Sequence, residues 1–333
     1  MKLIRSFDLI LLVLICAVSS RAQPAAVQQL QNNQMNAQQQ MPLPGLRAGT
    51  NAPELYPGEN MDVGPQRILR QNPRVNWFDV HLDGQIFISD NPTYSPAHIP
   101  SLIYVNTVQA AFTPPPINLG PGKAALEMGY ASQWYNYDRQ ALTSLDFDAQ
   151  TAFVGARYSS GKWLAVLNFN YTRLLSQPDN YDQIYQEFLP SLTLQRFFII
   201  HDKMLLAIGD QVDYHITKIP ADVAGLASPN SPAGLNDHFD NIIFATFNYQ
   251  VTQHFAIQPF YRFQYSYYRR NTFNTASRDD CLNALGITMI YNFNQYISAR
   301  VFLNYNRLHT TDPVTPSYAE MNGGIGASLD IKF

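Results

Sequence analysis

From Asn76 to Phe333 apolar residues recur at every second position, and this feature narrows the fold more than any other. In residues 78–88, Phe78, Val80, Leu82, Ile86 and Ile88 alternate with Asp79, His81, Asp83 and Gln85. Trp163, Ala165, Leu167, Phe169 and Tyr171 alternate with Asn168, Asn170 and Thr172. A period of two is the mark of a β-strand with one face against apolar surroundings and the other against polar ones. The pattern predicts twelve strands, near 76–89, 101–112, 124–136, 144–158, 162–174, 186–200, 204–216, 238–251, 255–268, 280–293, 296–308 and 318–333.

The connections between these segments carry their own order. Ser159-Ser160-Gly161, His201-Asp202-Lys203, Thr252-Gln253-His254 and Asn294-Gln295 are tight turns of two or three residues. Between them lie longer Pro- and Asn-rich stretches at 175–185, 217–237, 269–279 and 309–317. Strict alternation of short and long connections is how an up-and-down barrel crosses a bacterial outer membrane, with short turns inside and longer loops outside. An even strand number then places both ends of the chain on the periplasmic side. One connection breaks the rule: residues 113–123, TPPPINLGPGK, fall at a short-turn position yet run to eleven.

Composition supports the membrane reading. Aromatic residues make up 13% of the chain and charged residues only 14%, against about 25% charged in an average soluble domain. No run of eighteen apolar residues follows the N-terminal region, so the chain cannot cross lipid as helices and a closed barrel is what remains. Aromatics also gather at strand ends, as at Trp77, Phe78, Tyr135, Trp163, Phe198, Tyr249, Tyr267, Tyr291 and Tyr296. They are expected to form girdles at the edges of the lipid-facing band.

Residues 1–22 read as a secretory signal: Lys2 and Arg5, an apolar stretch from Leu9 to Val18, and small residues at Ser20 and Ala22 before the cleavage point. Cleavage removes three basic residues and one acidic residue, leaving nineteen against twenty-four and a net charge of −5. That argues against nucleic acid as a partner. Cys281 becomes the only cysteine, so no internal disulfide is possible. Residues 23–75 begin with eleven Gln or Asn in nineteen positions and continue with Pro, Gly and Asn. They are expected to form a disordered periplasmic arm, or else a tether to peptidoglycan or another chain.

The last strand, Ile325-x-Ala327-x-Leu329-x-Ile331-x-Phe333, resembles the signal read by the barrel-assembly machinery of Gram-negative bacteria. With the signal peptide and the strand series it makes the chain similar to outer-membrane β-barrel proteins in general. That resemblance implies an all-β, transmembrane, antiparallel up-and-down barrel of about twelve strands, residues 76–333. It also implies outer-membrane lipid and the assembly machinery as partners. Gly323, Gly324 and Gly326 are expected to ease pairing between the last strand and the first.

Twelve strands enclose a backbone cylinder of roughly 24 Å and a lumen of roughly 10 Å. The expected inward face carries Asp79, His81, Asp83, Glu127, Asp146, Asp148, Glu187, Asp213 and Asp240 on the first eight strands, and Arg262, Arg300 and Lys332 on the last four. One wall would then be acidic and the opposite one basic, a transverse field suited to small hydrophilic solutes in a porin-like channel or binding barrel. Phe87, Tyr158, Phe244, Phe260 and Phe302 also fall on the inward side, and the loop 217–237 is long enough to fold inward. The alternative is a structural or interaction barrel with a closed lumen. A third class, an outer-membrane lipid hydrolase, would need a histidine set beside a serine, and no His-x-Ser-Asn-Gly-like run exists. No two histidines or cysteines sit at a chelating spacing on one strand, and no phosphate-binding glycine loop is present, so neither metal nor cofactor is expected.

Overall fold

The computed structural model describes Leu30 and residues 76–94, 98–218, 237–268, 278–312 and 317–333. The expected signal peptide, the arm at 23–75 (Leu30 excepted) and residues 219–236 of the longest loop lie outside the described residues. The strands are β1 Phe78–Ser89, β2 Ser101–Phe112, β3 Ile117–Leu119, β4 Gly122–Tyr137, β5 Phe147–Ser160, β6 Trp163–Ser176 and β7 Asp182–His201. They continue with β8 Met204–Lys218, β9 His238–Gln250, β10 Phe255–Tyr268, β11 Arg278–Asn292, β12 Ile297–Thr310 and β13 Tyr318–Lys332.

Every pairing is antiparallel, and β1 pairs with β2 on one side and β13 on the other. Since β2 also pairs with β4, twelve long strands close on themselves and leave no open edge. The protein is an all-β, transmembrane, up-and-down antiparallel barrel. The irregular segment 113–123 holds β3, which folds back on the start of β4 by pairing Ile117 with Ala124 and Leu119 with Gly122. Pro114, Pro115 and Pro116 end β2, because proline offers no N–H to a ladder. Gly120, at φ +57°, makes the turn. The eleven residues are thus a small hairpin hung below the wall, and the strand count is unchanged.

On the outer face, mid-strand positions are aliphatic and exposed: Val108, Leu126, Val154, Leu167, Leu192, Ile208, Ile243, Leu285, Val301 and Ile325. Tyr104, Tyr171, Tyr214, Phe239, Tyr265 and Tyr305 ring the end that carries the long connections. Trp77, Phe78, Trp163, Tyr291, Phe293 and Tyr296 ring the end with the short turns. Such a band in water would be an aggregation surface; against acyl chains it costs nothing, and the rings sit at the headgroup level. At the short-turn rim Arg196 lies 5.2 Å from the Trp163 ring centre and 5.0 Å from that of Phe198, a cation held by two girdle rings.

The inner face is not polar throughout. Toward the long-loop end Phe87, Ile103, Val105, Tyr135, Phe147, Leu174, Tyr185 and Phe302 point inward and form one apolar cluster. Leu142 and Leu145, from the loop between β4 and β5, pack into it, as does Leu30, which is 2% exposed. Tyr135 and Phe147 stack at 4.3 Å and 10°, a pair worth about 0.5–1.5 kcal/mol beyond its buried area.

This cluster reverses the face expected for β5. Thr151 meets Thr172 at 2.9 Å, and Gly155 lies under Asn168. The inward residues of β5 are therefore Phe147, Ala149, Thr151, Phe153, Gly155 and Arg157, while Val154 faces out. Asp146 and Asp148 do not line the lumen. Asp146 precedes the strand and accepts the Tyr137 backbone N–H at 2.8 Å, and burial pushes its carboxyl up from the usual carboxylate range. Asp148 falls on the outer face opposite Trp134 and accepts from the Gln177 amide at 2.6 Å. Tyr158 also faces out and donates to the Leu119 carbonyl at 3.3 Å. A slip of one residue exchanges the two faces of a strand. Here the sequence misleads because the lumen is apolar at the level where polarity was expected.

Candidate functional site

The inner wall holds two groups of charge, one in each half of the barrel. In the half near the short turns, closure brings β1 beside β13. Asp79 stands opposite Lys332 and His81 opposite Asp330, with contacts of 3.2 and 2.8 Å. Asp83 is held by Arg300 from β12, one strand further round, through contacts of 2.5 and 2.8 Å, and Gln85 accepts a third bond at 3.3 Å. Glu127 and Arg157 form a further ion pair between β4 and β5.

The expected separation into an acidic and a basic wall is therefore corrected. Early and late strands are neighbours in a closed barrel, so their opposite charges neutralise each other locally. Arg157 also adds a base among the early strands, while Asp280, Glu320 and Asp330 add acids among the late ones.

Between these pairs runs a track of uncharged polar groups. Thr107, Gln109, Gln133, Thr151, Asn168, Asn170, Thr193, Gln195 and Gln211 all point inward from β2 and β4–β8, and all remain half-buried rather than sealed. Gln133 donates to Thr107 at 3.2 Å and Thr193 to Gln211 at 3.2 Å. Their remaining donors and acceptors face the interior. On the other side of the barrel Arg262, 0% exposed, and Gln258, Thr288 and Phe260 are sealed.

The second charged group lies at the long-loop end of β7–β11. Strand register sets it up: His215 pairs with His238, His238 with Tyr268, and Tyr268 with Arg278. Equal register brings planar groups into one rung. The His215 and His238 rings stack at 3.9 Å and 8°, His238 and Tyr268 at 4.4 Å, and the Arg278 guanidinium lies 4.3 Å from the Tyr268 ring centre. Just below, Asp213 pairs with Asp240, and Asp280 sits beyond Ser266. His215 donates from Nδ1 to Glu187 at 2.7 Å, and Tyr185 donates to the same oxygen at 2.9 Å. Arg278 is paired with Asp280. Every charged member is buried and Tyr268 is half-buried, so each charge depends on its neighbours and not on water.

Of the residues expected inside, Asp79, His81, Asp83, Glu127, Glu187, Asp213, Asp240, Arg262, Arg300 and Lys332 lie on the inner wall. Phe87, Phe244, Phe260 and Phe302 do too. The histidine pair was missed because its members lie on different strands. The available signal was positional: His215 and His238 flank one long loop near the ends of its two strands, where an antiparallel hairpin places residues opposite one another.

No family model matches the chain, and no curated protein does. Among solved structures it is similar to a KdgM porin in complex with disordered oligogalacturonate, at 8% identity and TM-score 0.37 over 75% of this chain and 98% of that one. The NanC porin matches at 13% and 0.40, over 74% and 98%. The translocator domain of the autotransporter NalP from Neisseria meningitidis matches at 9% and 0.38, over 78% and 90%. These are low overlaps, and the fold stands on the strand pairing above.

Proposed function

We propose that the chain is an outer-membrane channel or binding barrel for small hydrophilic solutes, held closed in this conformation at its long-loop end. The observation that carries this reading is the half-buried polar track from Thr107 to Gln211, bordered by ion pairs in the short-turn half. Amide and hydroxyl groups that keep free valence toward the interior suit uncharged or zwitterionic solutes rich in hydroxyls. A barrel that served only as a scaffold would gain more by filling that side with apolar side chains. The apolar cluster around Tyr135, Phe147 and Leu30 sits in series with the track and is the barrier to passage.

In this reading the short turns and both chain ends are periplasmic, the long loops are extracellular, and the last strand is the part engaged by the assembly machinery. The test is solute entry into proteoliposomes, with planar-bilayer conductance alongside. Wild-type protein is expected to give slow or rare events, and a variant with a loosened cluster, Phe147→Ala, faster ones. Absence of swelling and of current in both proteins, over a range of voltages, would sink the reading. Outer-membrane residence is checked by gel mobility before and after boiling, which must shift for a folded barrel.

A further inference from the structure

The rung at the long-loop end contains a set of donor atoms converging on one buried point. His215 and His238 face each other across β8 and β9, and Asp240 follows two residues along β9 on the same inward face. The two rings are stacked, so their edges align. Nε2 of His215 lies 3.2 Å from Oδ2 of Asp240, and Nε2 of His238 lies 3.7 Å from Oδ1. One ligand atom from each of the three residues lies within 4.8 Å of the others. Nε2 of His215 and Oδ1 of Asp240 are both shut from water, and among the described residues neither has a hydrogen-bond partner outside these three side chains. Two polar atoms with no outside partner, aimed at the same spot in a cluster only 2–5% exposed, form an arrangement that a shared polar ligand would satisfy.

The tautomer of His215 is fixed by its other nitrogen. Glu187 is a carboxylate that already accepts from Tyr185, so Nδ1 of His215 must be the donor toward it. In the neutral ring Nε2 is then a free lone pair directed at Asp240 and His238. A carboxylate behind a histidine whose far nitrogen faces a shared point is the support that metal-binding histidines use. Charge points the same way. Glu187, Asp213, Asp240 and Asp280 bring four carboxylates together, against two permanent cations among the described residues, Arg278 in the rung and the buried Arg262 lower on the wall.

We propose that His215, His238 and Asp240 bind a divalent first-row transition metal, with zinc(II) as the reference ion, and that Glu187 orients His215 for it. Two imidazoles and one carboxylate form a borderline set that suits zinc(II) and its neighbours, whereas magnesium and calcium need mostly oxygen ligands. Three protein ligands leave a coordination position open toward the barrel interior, available to water or to a donor group of a solute. The ion also ties β8 to β9 at the base of the longest loop.

The test uses the full-length protein refolded in detergent and stripped with chelator, titrated with Zn2+ against a chromophoric competitor. One Zn2+ per chain is expected, with Mg2+ and Ca2+ unable to displace it. His215→Ala, His238→Ala and Asp240→Asn should each weaken binding by at least about 100-fold, and Glu187→Gln by about 10- to 100-fold. Replacing the exposed His201 and His254 should change nothing. Absence of a stoichiometric site, or equal affinity in the His215→Ala/His238→Ala double variant, overturns the proposal. If that double variant fails the heat-shift test for folding, X-ray absorption of metal-loaded wild type decides instead. A shell with two imidazole nitrogens supports the site, and a shell of oxygens alone overturns it.

Discussion

Arg300 on β12 and Asp83 on β1 hold each other across an intervening strand, and the residue beneath their contact is Gly326 on β13. A Cβ added at Gly326 would stand 2.9 Å from the guanidinium carbon of Arg300, closer than real Cβ contacts come. The glycine keeps a groove through which one long side chain reaches two strands over, so the ion pair belts three strands at the seam of closure.

Asp83→Asn is expected to destabilise the barrel by about 3 kcal/mol, since it leaves the largely buried Arg300 without its counter-charge. Gly326→Leu should act in the same direction by displacing the guanidinium. Urea unfolding in phospholipid vesicles measures both. The double change Asp83→Leu/Arg300→Met should recover most of the loss, and a double variant as weak as Asp83→Asn would show that packing, not charge, is at stake.

Leu30→Asp would place a carboxylate among Tyr135, Phe147 and Leu174. A buried, unpaired charge there costs several kcal/mol, so Leu30 should leave the cluster. Single-channel recordings are expected to show longer or more frequent openings than wild type, with no change in the heat-shift assay. Identical traces would mean that Leu30 is not part of the barrier.

The register of β5 can be read by chemistry. With Cys281 replaced by serine, a cysteine at Val154 should be quenched by brominated lipid when labelled with a fluorophore, and one at Phe153 should not. The opposite pattern would restore Asp148 to the lumen.

Asp146 offers a pH signature in a loop outside the lipid band. Burial raises its folded carboxyl pKa, so at neutral pH its charge opposes folding. Its contribution improves as pH falls through that raised value and levels off below the ordinary carboxylate range. Asp146→Asn keeps an acceptor for Tyr137 N–H and should flatten that part of the stability profile. A variant profile that still rises on mild acidification would assign the effect elsewhere.

How far the sequence could be read depended on what each residue touches. The β9 expectation, 238–251, differs from the observed His238–Gln250 by a single residue, and β12 is similarly close, because lipid enforces alternation on every outer face. The inner face obeys no such uniform solvent. Asp146 and Asp148 were misplaced because Phe147 and Ala149 pack on an apolar cluster that only the closed barrel assembles. Gly326 was legible as a small residue near the seam, but not as the floor under Arg300. The histidine pair needed the exact register of β8 and β9, which no period of two supplies.

The seam has a consequence in time. His81 and Asp330, in direct contact, are 249 positions apart in the chain, so the first long strand must wait for the last before its free edge is satisfied. In lipid an unpaired edge is costly at every backbone group, and bringing such distant segments together is slow. A half-delivered chain therefore has no stable intermediate in the bilayer that resembles a smaller barrel. Insertion is expected to be all or nothing, committed only when β13 arrives, and a truncation that removes β13 should leave the chain for proteolysis instead of yielding a shorter wall.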